Sequence, residues 1–260
     1  MKSISMKRLF AYILVIALSV VSFQKAEAAV AFQNEKLHYV ISYKWGLVHK
    51  DAGEATLSLR NVGNDYRVML AARTKPWADK FYSVRDTLSG VIARNGLLPK
   101  LYKKVTHEKG THKRDEISYS RAGNITKGVT KRYRYDKKGK MTVKNLTLQS
   151  NGPVYDMLSI FYYLRQLDYS QLSRNKVYKA TVFSGRKKEI VTIRSLGVET
   201  IKLRNKTQRQ AYHIKFRFTQ EGGKKSSEDM DTWISTDAAH IPLYLVGQLP
   251  VGEVRAYYMP

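Results

Sequence analysis

No cysteine occurs in the 260 residues, which excludes a disulfide framework, a thiolate metal site and a cysteine nucleophile. Acidic residues are scarce, 21 against 46 lysines and arginines, for a net charge of +25. No Gly-x-Ser-x-Gly elbow and no glycine-rich phosphate loop is present, so the usual acyl-transfer and nucleotide signatures are missing. The histidines at 38, 49, 107, 112, 213 and 240 show no metal-ligand pairing. His107-Glu108 and His112 are spaced one residue too far apart for His-Glu-x-x-His, and they lie in a strand and turn, where helical spacing does not apply. No metal or other cofactor is expected, and no catalytic residue is assigned.

What is present begins with an address. Lys2, Lys7 and Arg8 precede LFAYILVIALSVVSF, a charge-free run from Leu9 to Phe23, and Ala26-Glu27-Ala28 follows. A basic start, a short apolar core and small residues at a cut site predict a secretory signal peptide over 1–28. The apolar core falls short of the roughly 20 residues that cross a bilayer, and no cysteine follows it to carry a lipid anchor. Residues 29–260 are then expected to form one exported domain, soluble or peripheral to a membrane surface.

The charge is unevenly placed. Residues 100–144 hold 15 lysines and arginines against 4 acids, and residues 174–225 hold 15 against 3, so these two segments carry nearly all the excess. Such clusters attract anions over roughly 8 to 10 Å in physiological salt.

Periodicity places these residues on strands. Leu37, Tyr39, Ile41 and Tyr43 alternate with polar positions, as do Ala55, Leu57 and Leu59, which predicts strands with one buried face. Turn signals recur at Asn61–Asn64, Asn95-Gly96, Lys109-Gly110, Ala122–Asn124, Lys138-Gly139 and Gly222-Gly223, a spacing that suits antiparallel hairpins and not βαβ units. The predicted fold is mainly β, an antiparallel curved or barrel-like sheet. One segment departs from it. From Pro153, VYDMLSIFYYLRQLDYS has apolar residues around most of a helical circumference, which predicts one largely buried helix over about 153–168, with Pro153 in its first turn and Asp156 at the positive end of its dipole. Asp156, Ser159 and Tyr163 form a polar stripe on it, readable as a ligand site or as a satisfied structural contact.

The same alternation, applied to Lys131-Arg132-Tyr133-Arg134-Tyr135, puts Arg132 and Arg134 on a wet face and the tyrosines toward the core. His213, Lys215 and Arg217 likewise oppose Ile214, Phe216 and Phe218. Arg132, Arg134, Lys137, Lys138, Lys215 and Arg217 are therefore the expected anion-binding surface. Tyrosines committed to a core cannot stack on bases, so nucleic acid is not the expected partner. In an exported protein the anion is instead a lipid head group, lipopolysaccharide or acidic glycan.

Several segments together resemble a known family: GEATLSL (53–59), FYSVRDTLSG (81–90), GLLPKLYKKVTHEKGTHKRDEISY (96–119), YDMLSIFYYLRQLD (155–168), WISTDAAHIPLYL (233–245) and VGEVRAYY (251–258). In this order they are similar to an exported bacterial family catalogued as domain of unknown function 3108. The Asp-x-Leu-Ser-x-x-Tyr-x-x-Arg pattern is the most specific part, matched by Asp156, Leu158, Ser159, Tyr162 and Arg165. The resemblance implies a predominantly β protein of the periplasm of diderm bacteria, and it implies no activity. Within the matching segments, Arg85, Asp86, His107, Glu108, Asp156, Ser159, Tyr162, Arg165, Asp237, Glu253 and Arg255 are polar residues in apolar or turn settings. Converging, they would make a buried ion network or line a pocket.

Together these features predict a non-catalytic envelope protein that binds an anionic or amphiphilic component, as a half-open barrel with a helix across its mouth could. Two other readings stay open. One is a carbohydrate-active hydrolase drawing two carboxylates from Asp86, Glu108, Asp156, Asp237 and Glu253; the other is a scaffold that docks to an envelope protein.

Overall fold

The computed structural model describes residues 31–81, 83–108, 111–136, 138–169, 177–221, 223, 227–248 and 252–260. The predicted signal peptide lies outside them, as do Lys137, two of the turn signals in whole or part, and the side chain of Glu108. Among the described residues, the strands run β1 (Glu35–Trp45), β2 (Val48–Val62), β3 (Asp65–Thr74), β4 (Val84–Ala93), β5 (Pro99–Glu108), β6 (Thr111–Ala122), β7 (Ile125–Tyr135) and β8 (Met141–Asn151). They continue as β9 (Val154–Tyr155), β10 (Val177–Phe183), β11 (Lys188–Lys202), β12 (Gln208–Gln220), β13 (Met230–Ser235), β14 (Pro242–Gln248) and β15 (Glu253–Met259). A helical turn, α1 (Pro76–Asp79), and one short helix, α2 (Ser159–Gln166), complete the described elements.

All the strands belong to one sheet, ordered β8-β7-β6-β5-β4-β3-β2-β1-β15-β14-β13-β12-β11-β10-β9. Every pairing is antiparallel except that of β9 with β10. The two edges, β8 and β9, are neighbours in sequence, so the chain steps from one edge to the other through Gly152 and Pro153. Hydrogen bonds from Gly152 N to Asn124 O and from Thr126 Oγ1 to Gly152 O hold this step, at 2.7 and 2.8 Å. The sheet is barrel-like and nearly closed, with its ends overlapping instead of hydrogen-bonding. Phe183 at the end of β10 is fully buried against the inner face of β6 and β7. A Cβ on Gly128 would lie 2.7 Å from the Phe183 ring, so glycine is required for this approach.

The overlap divides the interior. Val154 and Phe183 join a core with Leu57, Tyr102 and Ile117, whereas Tyr155, Ala180 and Val182 join a second with Val191, Ile193 and Ile214. The edge pair β9–β10 is thus a septum with one face in each core. The helix lies along the same boundary, with Leu158 and Tyr162 in the first core and Ile160 and Leu164 in the second. Leu57, Leu59, Ile117 and Ile193 are at most 2% exposed, each contributing about 1.5–3 kcal/mol of burial. The alternation over β1 and β2 is as expected, with Leu37, Tyr39, Ala55, Leu57 and Leu59 inward.

Two local expectations change. The helix occupies Ser159–Gln166 and not 153–168, because Val154 and Tyr155 give their backbone to a parallel pairing with Thr181 and Val182. It fills the interior and does not cross a mouth. The second change is the phase of β7. Thr126, Gly128 and Thr130 face inward and Ile125 and Val129 are exposed, so Arg132 and Arg134 continue the inner face. Tyr133 and Tyr135 point outward, Tyr133 beneath the Arg114 guanidinium at 3.9 Å and Tyr135 against His112 at 4.6 Å. The close approach of Phe183 selects the phase that puts glycine inside, and the arginines follow it.

Candidate functional site

Because β5 to β8 pair without a register shift, their inner residues form cross-strand rows. Lys104, Asp115, Arg132 and Lys144 make one row; Thr106, Lys113, Arg134 and Thr142 make the next, with Asp86 beside Thr106. Five cations and two carboxylates thus share a concave wall beside the seam. Arg134 donates Nη1 and Nη2 to the Asp115 carboxylate at 2.6 and 3.0 Å, and Arg132 Nε lies 3.4 Å from it. Asp115 is thereby committed to two arginines, and positive charge remains in excess. The β10–β11 turn comes to the same place: a Cβ on Gly185 would lie 3.2 Å from Asp115 Oδ2, and Arg186 and Lys187 follow it.

One row deeper stand Tyr102, Ile117, Thr130 and Leu146, and beyond them Tyr119, Gly128 and Leu148. Among the described residues, the hydroxyls of Tyr102, Tyr119 and Thr130 are buried without a hydrogen-bond partner, and so is Asp156 Oδ2. Burial raises the pKa of both phenols, and the Asp156 charge raises them further. The wall therefore grades from cations at its rim to unpaired polar atoms among apolar side chains.

Asp156 belongs to the chain's entry into α2. Its Oδ1 accepts from the backbone N–H of Leu158 and Ser159, each at 2.7 Å, while its own N–H donates to Ser159 Oγ at 2.8 Å. This reciprocal pairing satisfies orphan donors of the first turn, as a capping box does. Burial pushes the carboxyl up to about 6, against the lowering effect of those hydrogen bonds. A folded pKa above the unfolded one means that the folded state binds this proton more tightly, so the associated stability is present below about pH 4 and lost as pH rises through about 6. Asp156→Asn keeps the accepting oxygen and removes the charge. Its melting temperature is expected to exceed that of the wild type above pH 7, with the gap closing toward pH 4; a gap independent of pH in thermal unfolding would refute the assignment.

Of the other predicted site residues, Arg85, Asp86 and His107 line one open cleft of about 430 Å³ with Glu54 and Arg73, and the rest lie apart. Arg85 pairs with Asp79 on α1, at 2.7 Å. His107 stacks on the outer face against His112, ring centroids 4.2 Å apart. Tyr162 donates to Ser58 O at 3.4 Å. Arg165, 1% exposed, pairs with Glu35 and donates to the carbonyls of Ala239 and His240 at 2.9 and 3.0 Å. Asp237 accepts from Ser235 Oγ and Ala239 N within its own turn. Glu253 holds Arg255 and Lys44. Apart from the shared cleft of Arg85, Asp86 and His107, these are separate structural contacts, and the predicted set as a whole is neither one ion network nor one pocket. The expected anion-binding residues divide as well. Lys138 lies in the exposed β7–β8 turn, and Lys215 and Arg217 lie on the outer face of β12 near Asp231 and Asp229. Lys104, Lys113, Lys144, Tyr102, Tyr119 and Thr130 escaped the sequence reading, since register alone brings them together. The one signal for them was Gly128 inside a strand pattern, a mark of close approach.

The family described as protein of unknown function, DUF3108, matches residues 38–258. The chain belongs to that family. The DUF3108 pattern Asp156, Leu158, Ser159, Tyr162 and Arg165 is, in this structure, the set that caps α2 and ties it to β1, β2 and the β13–β14 connection. The crystal structure of a beta-barrel-like protein of domain of unknown function DUF1849 from Brucella abortus is similar over 89% of this chain and 98% of its own, with 11% identity and a TM-score of 0.57. At that identity the likeness is one of fold. No curated protein matches the chain.

Proposed function

We propose that this DUF3108 chain is an exported, non-catalytic protein of the cell envelope that binds an anionic amphiphile at the concave wall of β5–β8. The observation that carries this reading is the pair of cation-rich rows, Lys104-Asp115-Arg132-Lys144 and Thr106-Lys113-Arg134-Thr142, directly above unpaired buried hydroxyls. A phosphate or carboxylate head would meet the rows, and its apolar portion would meet Leu146, Leu148 and the seam. The apolar start of the sequence supports export to the periplasm. Among the described residues, no helix is long and apolar enough to cross a membrane, and contact with the bilayer would be peripheral. An acidic glycan shares the head-group chemistry and is the competing source. Against the hydrolase reading, Asp156, one of its candidate acids, is 1% exposed. A scaffold role draws on one observation, the outer edge of β8, which pairs with no strand among the described residues and where Met141 and Val143 are exposed.

Lys104 and Lys144 make no ion pair among the described residues, so their replacement spares the fold. Each lysine near an anionic surface contributes about 1 kcal/mol, so Lys104→Ala with Lys144→Ala is expected to weaken binding to phosphatidylglycerol vesicles roughly thirtyfold. Co-sedimentation measures this. Equal binding to phosphatidylcholine vesicles, or indifference to the double substitution, would sink the proposal; binding of a soluble hexuronate oligomer without vesicle binding would transfer the site to acidic glycans.

A further inference from the structure

The outer half of the β11–β12 hairpin leaves the barrel wall. A bulge between Ser195 and Gly197 breaks the register, and Gly197 has φ 111°, a conformation that favours glycine. Beyond it the hairpin forms an arm that lies back over the outer face of the sheet. Arg204 near its tip stacks over Tyr257 of β15 at 5.0 Å and grips the Asp51 carboxylate of β2 with Nη1 and Nη2 at 3.1 and 2.9 Å. Ile201 and Leu203 pack with Ala211 and Leu243 beneath the arm.

Between arm and sheet lies a cleft of about 340 Å³, lined by Glu199, Lys202 and Arg204 on one side and Trp233, Tyr244 and Arg255 on the other. This is the lower end of the size range of small-molecule sites, roughly 300 to 1,000 Å³. Its floor is formed by Trp233, Tyr244 and Tyr257, part of a ladder of rings across four strands: His213 on Trp233 at 4.3 Å, Trp233 on Tyr244 at 4.9 Å, and Tyr244 on Tyr257 at 4.8 Å. The polar groups around it are already fixed. Glu199 accepts from Trp233 Nε1 at 2.9 Å and meets His213 Nδ1 at 2.8 Å, and these contacts hold its carboxyl below the usual range. Arg255 is held by Glu253 through Nε at 2.6 Å.

These facts select a chemical class. The ring faces are spent on one another, so a flat aromatic ligand has nothing to stack on. Arg204 and Arg255 already have carboxylates, Asp51 and Glu253, and the charge of Lys202 is balanced by Glu199 in the same lining, so a free anion would gain little. What remains is a set of oriented donors and acceptors beside the half-buried Ile201, with Leu203 and Leu243 almost wholly buried behind it. That combination serves a ligand whose hydroxyls both give and take hydrogen bonds while its C–H surfaces need cover. We propose that the cleft under the β11–β12 arm is a binding site for an uncharged mono- or disaccharide, with the arm as its lid. It lies on the outer face of β13–β15 and does not depend on the basic wall inside β5–β8.

The test is titration of the full chain with glucose, N-acetylglucosamine and their disaccharides, followed by the indole N–H resonances of the three tryptophans. The expected result is a saturable shift of the Trp233 resonance. Glu199→Gln is expected to weaken binding about tenfold or more, the loss for a charge-assisted hydrogen bond. Lys202→Met, on the exposed arm, is expected to weaken binding without altering thermal stability, so a folding defect in the first variant leaves the test intact. Absence of any sugar-dependent shift of Trp233, or unchanged affinity in Lys202→Met and folded Glu199→Gln, would overturn the site. Glucuronate binding far more tightly than glucose would overturn its assignment to an uncharged ligand.

Discussion

Arg165→Ala is expected to destabilise the protein by about 3–5 kcal/mol, because it leaves the partner charge and two carbonyls without their donor in a buried site. The guanidinium is 1% exposed and spends Nε, Nη1 and Nη2 on His240 O, Glu35 and Ala239 O, with the Phe32 ring 4.6 Å from its centre. One side chain therefore ties α2 to the start of β1 and to the β13–β14 connection. Urea denaturation of Arg165→Ala measures the loss. Replacing both partners, Arg165→Met with Glu35→Gln, is expected to cost clearly less, since a buried pair removed together leaves no stranded charge. A double variant as unstable as the single one would show that the pair is not what holds these elements.

The seam supplies the second large effect. Phe183→Ala is expected to cost about 3–5 kcal/mol, the range for emptying a buried aromatic site. Phe183 is fully buried against Gly128 and Ile117, and its ring is stacked on Tyr119 with centroids 6.1 Å apart. The septum and the wall of β6–β7 are joined here by packing, without a ladder of hydrogen bonds, so the loss should be local before it is global. Hydrogen exchange is expected to accelerate in β6–β8 well beyond β1–β4. The converse substitution, Gly128→Ala, puts a methyl 2.7 Å from the same ring and is expected to destabilise by about 1–3 kcal/mol. Combined with Phe183→Leu it should recover part of that loss, since the smaller side chain leaves room for the added carbon. Additive losses would place the strain elsewhere.

The seam and the basic wall are one structural fact seen twice. Phe183 demands glycine on the inner face of β7, and the same phase turns Arg132 and Arg134 inward. A charge reversal at the wall and a cavity at the seam should therefore be separable only if their substitutions sit two rows apart, as Lys104 and Gly128 do.

The amino-acid sequence by itself determined that this would be a cysteine-free β protein with hairpin turns and one buried helix, because period-two alternation and turn residues are local properties of the chain. It also carried the DUF3108 pattern from Asp156 to Arg165, whose spacing is that of a capped helix start. Which face of β7 is inside was not local. In Lys131–Tyr135 both faces carry residues that can be half-buried, and a phase error of one residue exchanges them. Contact between Gly128 and Phe183, far apart in the chain, settles it. The partners of the helix motif were decided in the same way, with Glu35 reaching Arg165 and Ser58 reaching Tyr162 only when the sheet coils around α2. Cross-strand register and the overlap of the two sheet ends are properties of the closed sheet, and they alone bring Lys104, Arg132 and Lys144 into a single row.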